Sequence, residues 1–131
     1  MENHQYLFVY GTLMRGYENP FATLLQQYAT WVGEGTMTGL LYRISWYPGA
    51  IFLDDPKYRV FGEVYQIVEP DALLRELDAY EDVSPIESES LYLRRLVPVQ
   101  LTTGQMLECW TYLFNKSVAG LEQIIGGNFR S

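Results

Sequence analysis

Histidine and cysteine are almost absent. The 131 residues hold one histidine, His4, and one cysteine, Cys109. A single cysteine excludes a disulfide framework and a cysteine-based zinc site. A single histidine excludes Ser-His and Cys-His catalysis unless His4 itself serves, and it excludes multi-histidine metal sites. Basic residues are also few. Lys and Arg number 9 against 16 Asp and Glu, a formal net charge of −7. That balance argues against nucleic acid or an anionic membrane as the main partner, because both recruit cations. No stretch approaches about 18 apolar residues, so no membrane span is expected. No basic segment leads into the short apolar run near the start, so a soluble, cytoplasmic, reducing setting is expected. The chemistry left to the chain rests mainly on carboxylates, hydroxyls, Arg, Lys and backbone.

What is present suits one domain over residues 1–131. Apolar residues make up 48% of the chain, enough for a real core. Aromatics reach 15%, with 11 Tyr, a bias towards strands. Tyr6 to Tyr10 reads as a buried strand. Asn19-Pro20 is a helix start, and Phe21 to Ala29 reads as its continuation. Trp31 to Ser45 is strand-like but interrupted by Gly33, Gly35 and Gly39, which suit bulges and bends. Residues 46–49 read as a turn, Ala50 to Leu53 as a short strand and residues 54–57 as a second turn. Tyr58 to Ile67 is strand-like, and Pro70 to Glu81 is the clearest helix. Leu91 to Leu101 and Gln105 to Phe114 form a hairpin through Thr102-Thr103-Gly104. The tail is expected to hold a helical turn before Gly126-Gly127. Bent strands with a few helices predict an α+β domain, a small mixed β-barrel with packed helices.

One carboxylate stands in an unfavourable place. Leu73, Leu74, Leu77 and Tyr80 make one apolar stripe at spacings of three and four. Glu81 lies four residues after Leu77 and projects along that stripe. It also stands at the negative end of the helix dipole, with Asp78 and Asp82 nearby. Desolvation, dipole and like charge all predict a raised pKa. Such a carboxyl suits general acid–base work near neutral pH. Geometry alone leaves an alternative, in which the helix stops at Tyr80 and Glu81 is a solvated end residue.

A second segment is Val9-Tyr10-Gly11-Thr12-Leu13-Met14-Arg15-Gly16. A buried strand runs into a glycine-bearing loop, whose N–H groups can form a concavity for anionic oxygens. The spacing of Gly11 and Gly16 is that of a phosphate loop. Tyr17-Glu18 follows in place of Lys-Ser/Thr, which argues against nucleotide binding. On its own the segment also reads as a plain turn.

Together these segments resemble the γ-glutamylcyclotransferase-like family, which includes YtfP-like and AIG2-like proteins. The resemblance continues through Tyr47-Pro48-Gly49, Val60-Phe61-Gly62-Glu63-Val64-Tyr65 and Leu77-Asp78-Ala79-Tyr80-Glu81. Tyr92-Leu93-Arg94 and Trp110-Thr111-Tyr112 extend it, in the family's order and over nearly the whole chain. The ending Gly126-Gly127-Asn128-Phe129 resembles a variant of the family's Gly-Asp-Trp, from which it departs at Asn128-Phe129.

The resemblance implies a barrel with packed helices and a cofactor-independent, metal-free cyclisation of acyl-transfer or lyase type. The α-amine of a γ-glutamyl group attacks its own γ-carbonyl, releasing 5-oxoproline and an amine or amino acid. Glu81 would be the acid–base residue. Tyr10, Gly11, Thr12 and Leu13 would offer backbone N–H groups to the substrate's α-carboxylate or to the developing oxyanion. Tyr112 would bond the substrate or orient Glu81, or serve as a core aromatic. Arg94 is expected to pair with a carboxylate and support the helix of Glu81. Arg15 would meet a substrate carboxylate or be a solvated loop charge. Glu63 and Glu108 are outer candidates, Cys109 a buried filler, and residues 87–90 a solvated loop at the rim. The partner is a small γ-glutamyl compound, with the loop closer to the γ-glutamylamine branch, and the protein a monomer or dimer. The rival reading is a non-catalytic small-molecule-binding barrel of the same fold.

Overall fold

The computed structural model describes residues 6–11, 13–14, 16, 19–45, 47–67, 70–81 and 90–129. In chain order they form β1 (Tyr6–Val9), α1 (Pro20–Tyr28), β2 (Ala29–Arg43), β3 (Pro48–Phe52) and β4 (Arg59–Ile67). Then follow α2 (Pro70–Tyr80), β5 (Tyr92–Leu101), β6 (Met106–Phe114) and β7 (Glu122–Gln123). Strands β2, β4, β1, β6 and β5 are hydrogen-bonded in that order, and β5 returns to β2. The result is a closed five-stranded barrel. Strand β1 runs parallel to β6, and the other barrel pairs are antiparallel. β3 pairs with the end of β2, residues 39–43, and β7 with Tyr42 and Arg43.

Side-chain alternation along these strands builds two cores. Phe8, Met37, Val60, Val64, Val97, Val99 and Cys109 fill the barrel. Their neighbours Leu7, Val9, Tyr65, Ile67, Tyr112 and Phe114 face outwards, and the helices cover them with Leu25, Leu73, Leu74 and Leu77. Asn19 caps α1: its side-chain oxygen accepts from the N–H groups of Phe21 (3.1 Å) and Ala22 (2.8 Å). The hairpin expected at Thr102-Thr103-Gly104 is present. The Gly104 N–H donates to the Leu101 carbonyl (2.8 Å), and Gly104 takes φ +97°, a conformation that favours glycine.

Three local expectations change. β2 is a single strand of 15 residues, not an interrupted one. Its glycines accommodate a bulge between Trp31 and Gly33 and close neighbouring backbone at Gly35 and Gly39. Pro48 and Gly49 belong to β3 rather than to a turn, because Arg43 and Tyr42 pair with them. The tail forms β7 and turns instead of a helical turn, since the open edge of β2 offers a ladder. Among the described residues no helix is long and apolar enough to cross a membrane.

Candidate active site

Helix α2 lies on the outer face of the barrel with Leu73, Leu74 and Leu77 buried. It ends at Tyr80, yet the Glu81 N–H still donates to the Leu77 carbonyl (2.9 Å). Glu81 therefore stays on the helical path, and its half-buried side chain enters a cavity of about 190 Å³. The cavity is walled by the end of β1 and the following turn (Phe8 to Gly11, Leu13), by Tyr47 and Pro48, and by Leu91, Tyr92 and Tyr112. This wall is mostly apolar and aromatic. Burial there raises the Glu81 carboxyl from its ordinary value of 4.5 to about 8. Desolvation is the cause. Asp78 does not act as free like charge, because Arg94 neutralises it; Asp82 lies outside the described residues. A carboxyl poised in this range can both accept and return a proton at neutral pH.

Arg94 and Tyr112 stand directly opposite each other on β5 and β6. Both reach Asp78 on α2. Arg94 donates through Nε to Oδ1 (2.8 Å) and through its second amino group to Oδ2 (3.1 Å), a two-pronged pair. The Tyr112 hydroxyl donates to Asp78 Oδ1 (2.6 Å). The guanidinium also lies over the Trp110 ring, 4.6 Å from its centre. Burial opposes the charge on Arg94, but the bonds and charge of Asp78 hold its pKa above the usual value.

The first turn is fixed by other contacts. The Tyr10 hydroxyl donates to the Tyr112 carbonyl and accepts from the Ala50 N–H (3.1 Å). It is thus committed to tying β1, β3 and β6 together. The Met14 N–H donates to the Gly11 carbonyl (3.0 Å) and closes the turn. A Cβ on Gly11 would lie 2.8 and 2.9 Å from two Pro48 ring carbons. Glycine is needed here to admit Pro48. Pro48 is held in turn by the Tyr92 hydroxyl, which donates to its carbonyl (2.6 Å). Of the loop residues singled out in the sequence, Tyr10, Gly11 and Leu13 line the cavity with Glu81 and Tyr112. Thr12 and Arg15 lie outside the described residues.

A family model described as gamma-glutamyl cyclotransferase, AIG2-like, matches residues 7–131. The chain belongs to this family. Comparison with curated proteins gives no match. Among solved structures the chain is similar to ytfP of Escherichia coli, with 30% identity, 95% of each chain covered and a TM-score of 0.65. It is similar to an AIG2-like protein of Mus musculus, with 28% identity, 90% of this chain and 82% of that one covered, and a TM-score of 0.69. An uncharacterized protein of Pyrococcus horikoshii shares the fold at 24% identity and a TM-score of 0.64, over 95% of this chain and 89% of that one.

In this AIG2-like chain the outer candidates stay out of the cavity. Glu63 is buried and accepts from the Tyr65 hydroxyl (3.1 Å), and Glu108 is exposed; neither lines it. Cys109 is sealed inside the barrel, and burial, with Glu108 adding, pushes its thiol up to about 12. Residues 87–89 lie outside the described residues, and Ser90 is fully buried rather than solvated. The tail borders a different cavity of about 260 Å³, beside Arg59 and Tyr58, with no carboxylate in its lining among the described residues. Sequence reasoning gave no site role to Tyr47, Pro48, Leu91, Tyr92 or Asp78. The family-like segments around Tyr47, Tyr92 and Asp78 were the available signal for them.

Proposed function

We propose that this protein is a γ-glutamyl cyclotransferase. The observation that carries the reading is Glu81, a carboxyl poised near 8 in an apolar cavity beside the Tyr10–Leu13 turn, in a chain of this family. The Glu81 carboxylate takes a proton from the substrate's α-ammonium. The freed amine attacks the γ-carbonyl carbon, and a C–N bond forms as the carbonyl oxygen gains charge. The oxyanion collapses, and Glu81 gives its proton to the leaving nitrogen as the γ-amide C–N bond breaks. The Glu81 carboxylate then takes the extra proton from the new ring nitrogen and passes it to the departing amine, which leaves as an ammonium. The products are 5-oxoproline and an amine or amino acid. Atoms and charge balance without a metal or cofactor.

The nucleophile is tethered to its target, so a folded near-attack shape supplies a large effective molarity. The cavity walls of Tyr47, Tyr92 and Tyr112 are suited to holding that shape. Backbone N–H groups of Tyr10, Gly11 and Leu13, with Thr12 between them, hold the α-carboxylate or the oxyanion. Arg94, through Asp78, supports the helix that carries Glu81.

The test is release of 5-oxoproline from a panel of γ-glutamyl amines and dipeptides. Wild type turns over at least one of them. Glu81→Gln lowers kcat by about 10²–10⁴-fold, the usual worth of a general acid–base group. A non-catalytic barrel would bind such compounds without releasing 5-oxoproline, and equal activity of the Gln variant would remove Glu81 from the mechanism.

A further inference from the structure

We infer that Asp78 is a positioning residue that turns the Tyr112 hydroxyl into a hydrogen-bond acceptor for the substrate's α-amine. The inference rests on the cyclotransferase reading and assigns one interaction within that site. A tyrosine hydroxyl has one proton to give and lone pairs with which to accept. A carboxylate engaged on both oxygens by a guanidinium is acceptor-only. Asp78, clamped by Arg94 at 2.8 and 3.1 Å, therefore claims the Tyr112 proton across 2.6 Å. Tyr112 is left with acceptor capacity alone, in a residue that lines the cavity with Glu81.

Rotation of the hydroxyl is the only freedom this arrangement has to remove. The other end of Tyr112 is already fixed, because its carbonyl accepts from the Tyr10 hydroxyl. Burial first, and then the bond and charge of Asp78, raise the Tyr112 pKa; Arg94 opposes and Glu81 adds to the rise. The hydroxyl thus keeps the proton that Asp78 holds. In the cyclisation an acceptor at this place has a definite use. It takes one N–H of the α-amine, while Glu81 takes the proton that must leave. Tyr112 therefore does not cover the nitrogen lone pair that proton loss to Glu81 uncovers, and that lone pair is free to turn to the γ-carbonyl. A donor at Tyr112 would instead compete for that lone pair.

The ligands that test this are γ-glutamyl butylamide and glutaric acid monobutylamide, which differ only in the α-amine. Binding is measured by calorimetry in the Glu81→Gln background, where turnover does not interfere. Tyr112→Phe is expected to weaken the first ligand roughly tenfold, one hydrogen bond to a charged group, and to leave the second unchanged. Asp78→Asn is expected to weaken the first ligand in the same direction and to add nothing once Tyr112 is Phe. Equal loss for both ligands, or no loss for either, overturns the positioning role and leaves the cyclotransferase reading standing on 5-oxoproline release by wild type. Absence of that release from every γ-glutamyl compound overturns both. Thermal melting of each variant checks its fold, and Tyr112→Phe keeps the test valid should Asp78→Asn not fold.

Discussion

Among the described acidic residues Glu81 is set apart by its place in the wall of the apolar cavity. Its carboxyl at about 8 predicts a kinetic signature. Below that pH, kcat/KM on a γ-glutamyl substrate should fall about tenfold per unit, because the base form of a single group is lost. A profile flat down to the ordinary carboxylate range would remove Glu81 as the base. Gly11 supplies a second prediction at this scale. Gly11→Ala drives a Cβ into the Pro48 ring, at 2.8 and 2.9 Å, and so displaces the cavity wall. Overpacking of this kind costs about 1–3 kcal/mol, measurable by denaturant unfolding, and KM should rise with it. The position of Glu81 on the α2 stripe was legible in the sequence, because helical period is local. The reason for Gly11 was not, because Pro48 reaches it only through the fold.

The elements follow local rules. Asn19-Pro20 announced α1, and the cap is there, so Asn19→Ala should cost about 1 kcal/mol by denaturant unfolding without altering kcat. The three-residue loop at Thr102-Thr103-Gly104 fixes the β5–β6 register and sets Arg94 opposite Tyr112. The sequence therefore contained this juxtaposition. It did not contain Asp78 as their common partner. Asp78 read as a negative neighbour of Glu81, and docking α2 over the β5–β6 face made it the carboxylate that Arg94 and Tyr112 share.

The whole molecule depends on a narrow seam. β2 and β5 meet through Gly35 with Leu101 and Thr36 with Gln100, and the Thr102 N–H donates to the Glu34 carbonyl (3.1 Å). Arg59 on β4 straps this seam, donating to the side chains of Thr36 and Gln100 at 3.1 Å each. Arg59→Ala should cost about 1–2 kcal/mol and speed hydrogen exchange at the Thr102 amide more than in the barrel strands away from the seam. Stability should also respond to Glu81. Between 4.5 and about 8 the folded chain holds a proton that the unfolded chain has lost, so stability falls as pH rises through this window. Glu81→Gln should remove that slope, and melting temperatures of the two proteins should diverge in favour of Gln as pH passes upward through the window. Parallel curves would mean that Glu81 is not desolvated in the fold.

Scarcity of histidine, cysteine and cations, the strand and helix periods, the Asn19 cap and the hairpin loop are properties of composition and of neighbours within a few residues. The sequence by itself determined these, and with them the class of fold and the carboxylate at the end of α2. Barrel closure, the fit of Pro48 against Gly11, the commitment of the Tyr10 hydroxyl to β3 and β6, and the meeting of Asp78 with Arg94 and Tyr112 join residues far apart in the chain. Only the tertiary structure decided them, because such contacts depend on how whole elements dock, and side-chain period within one element carries no record of its partner.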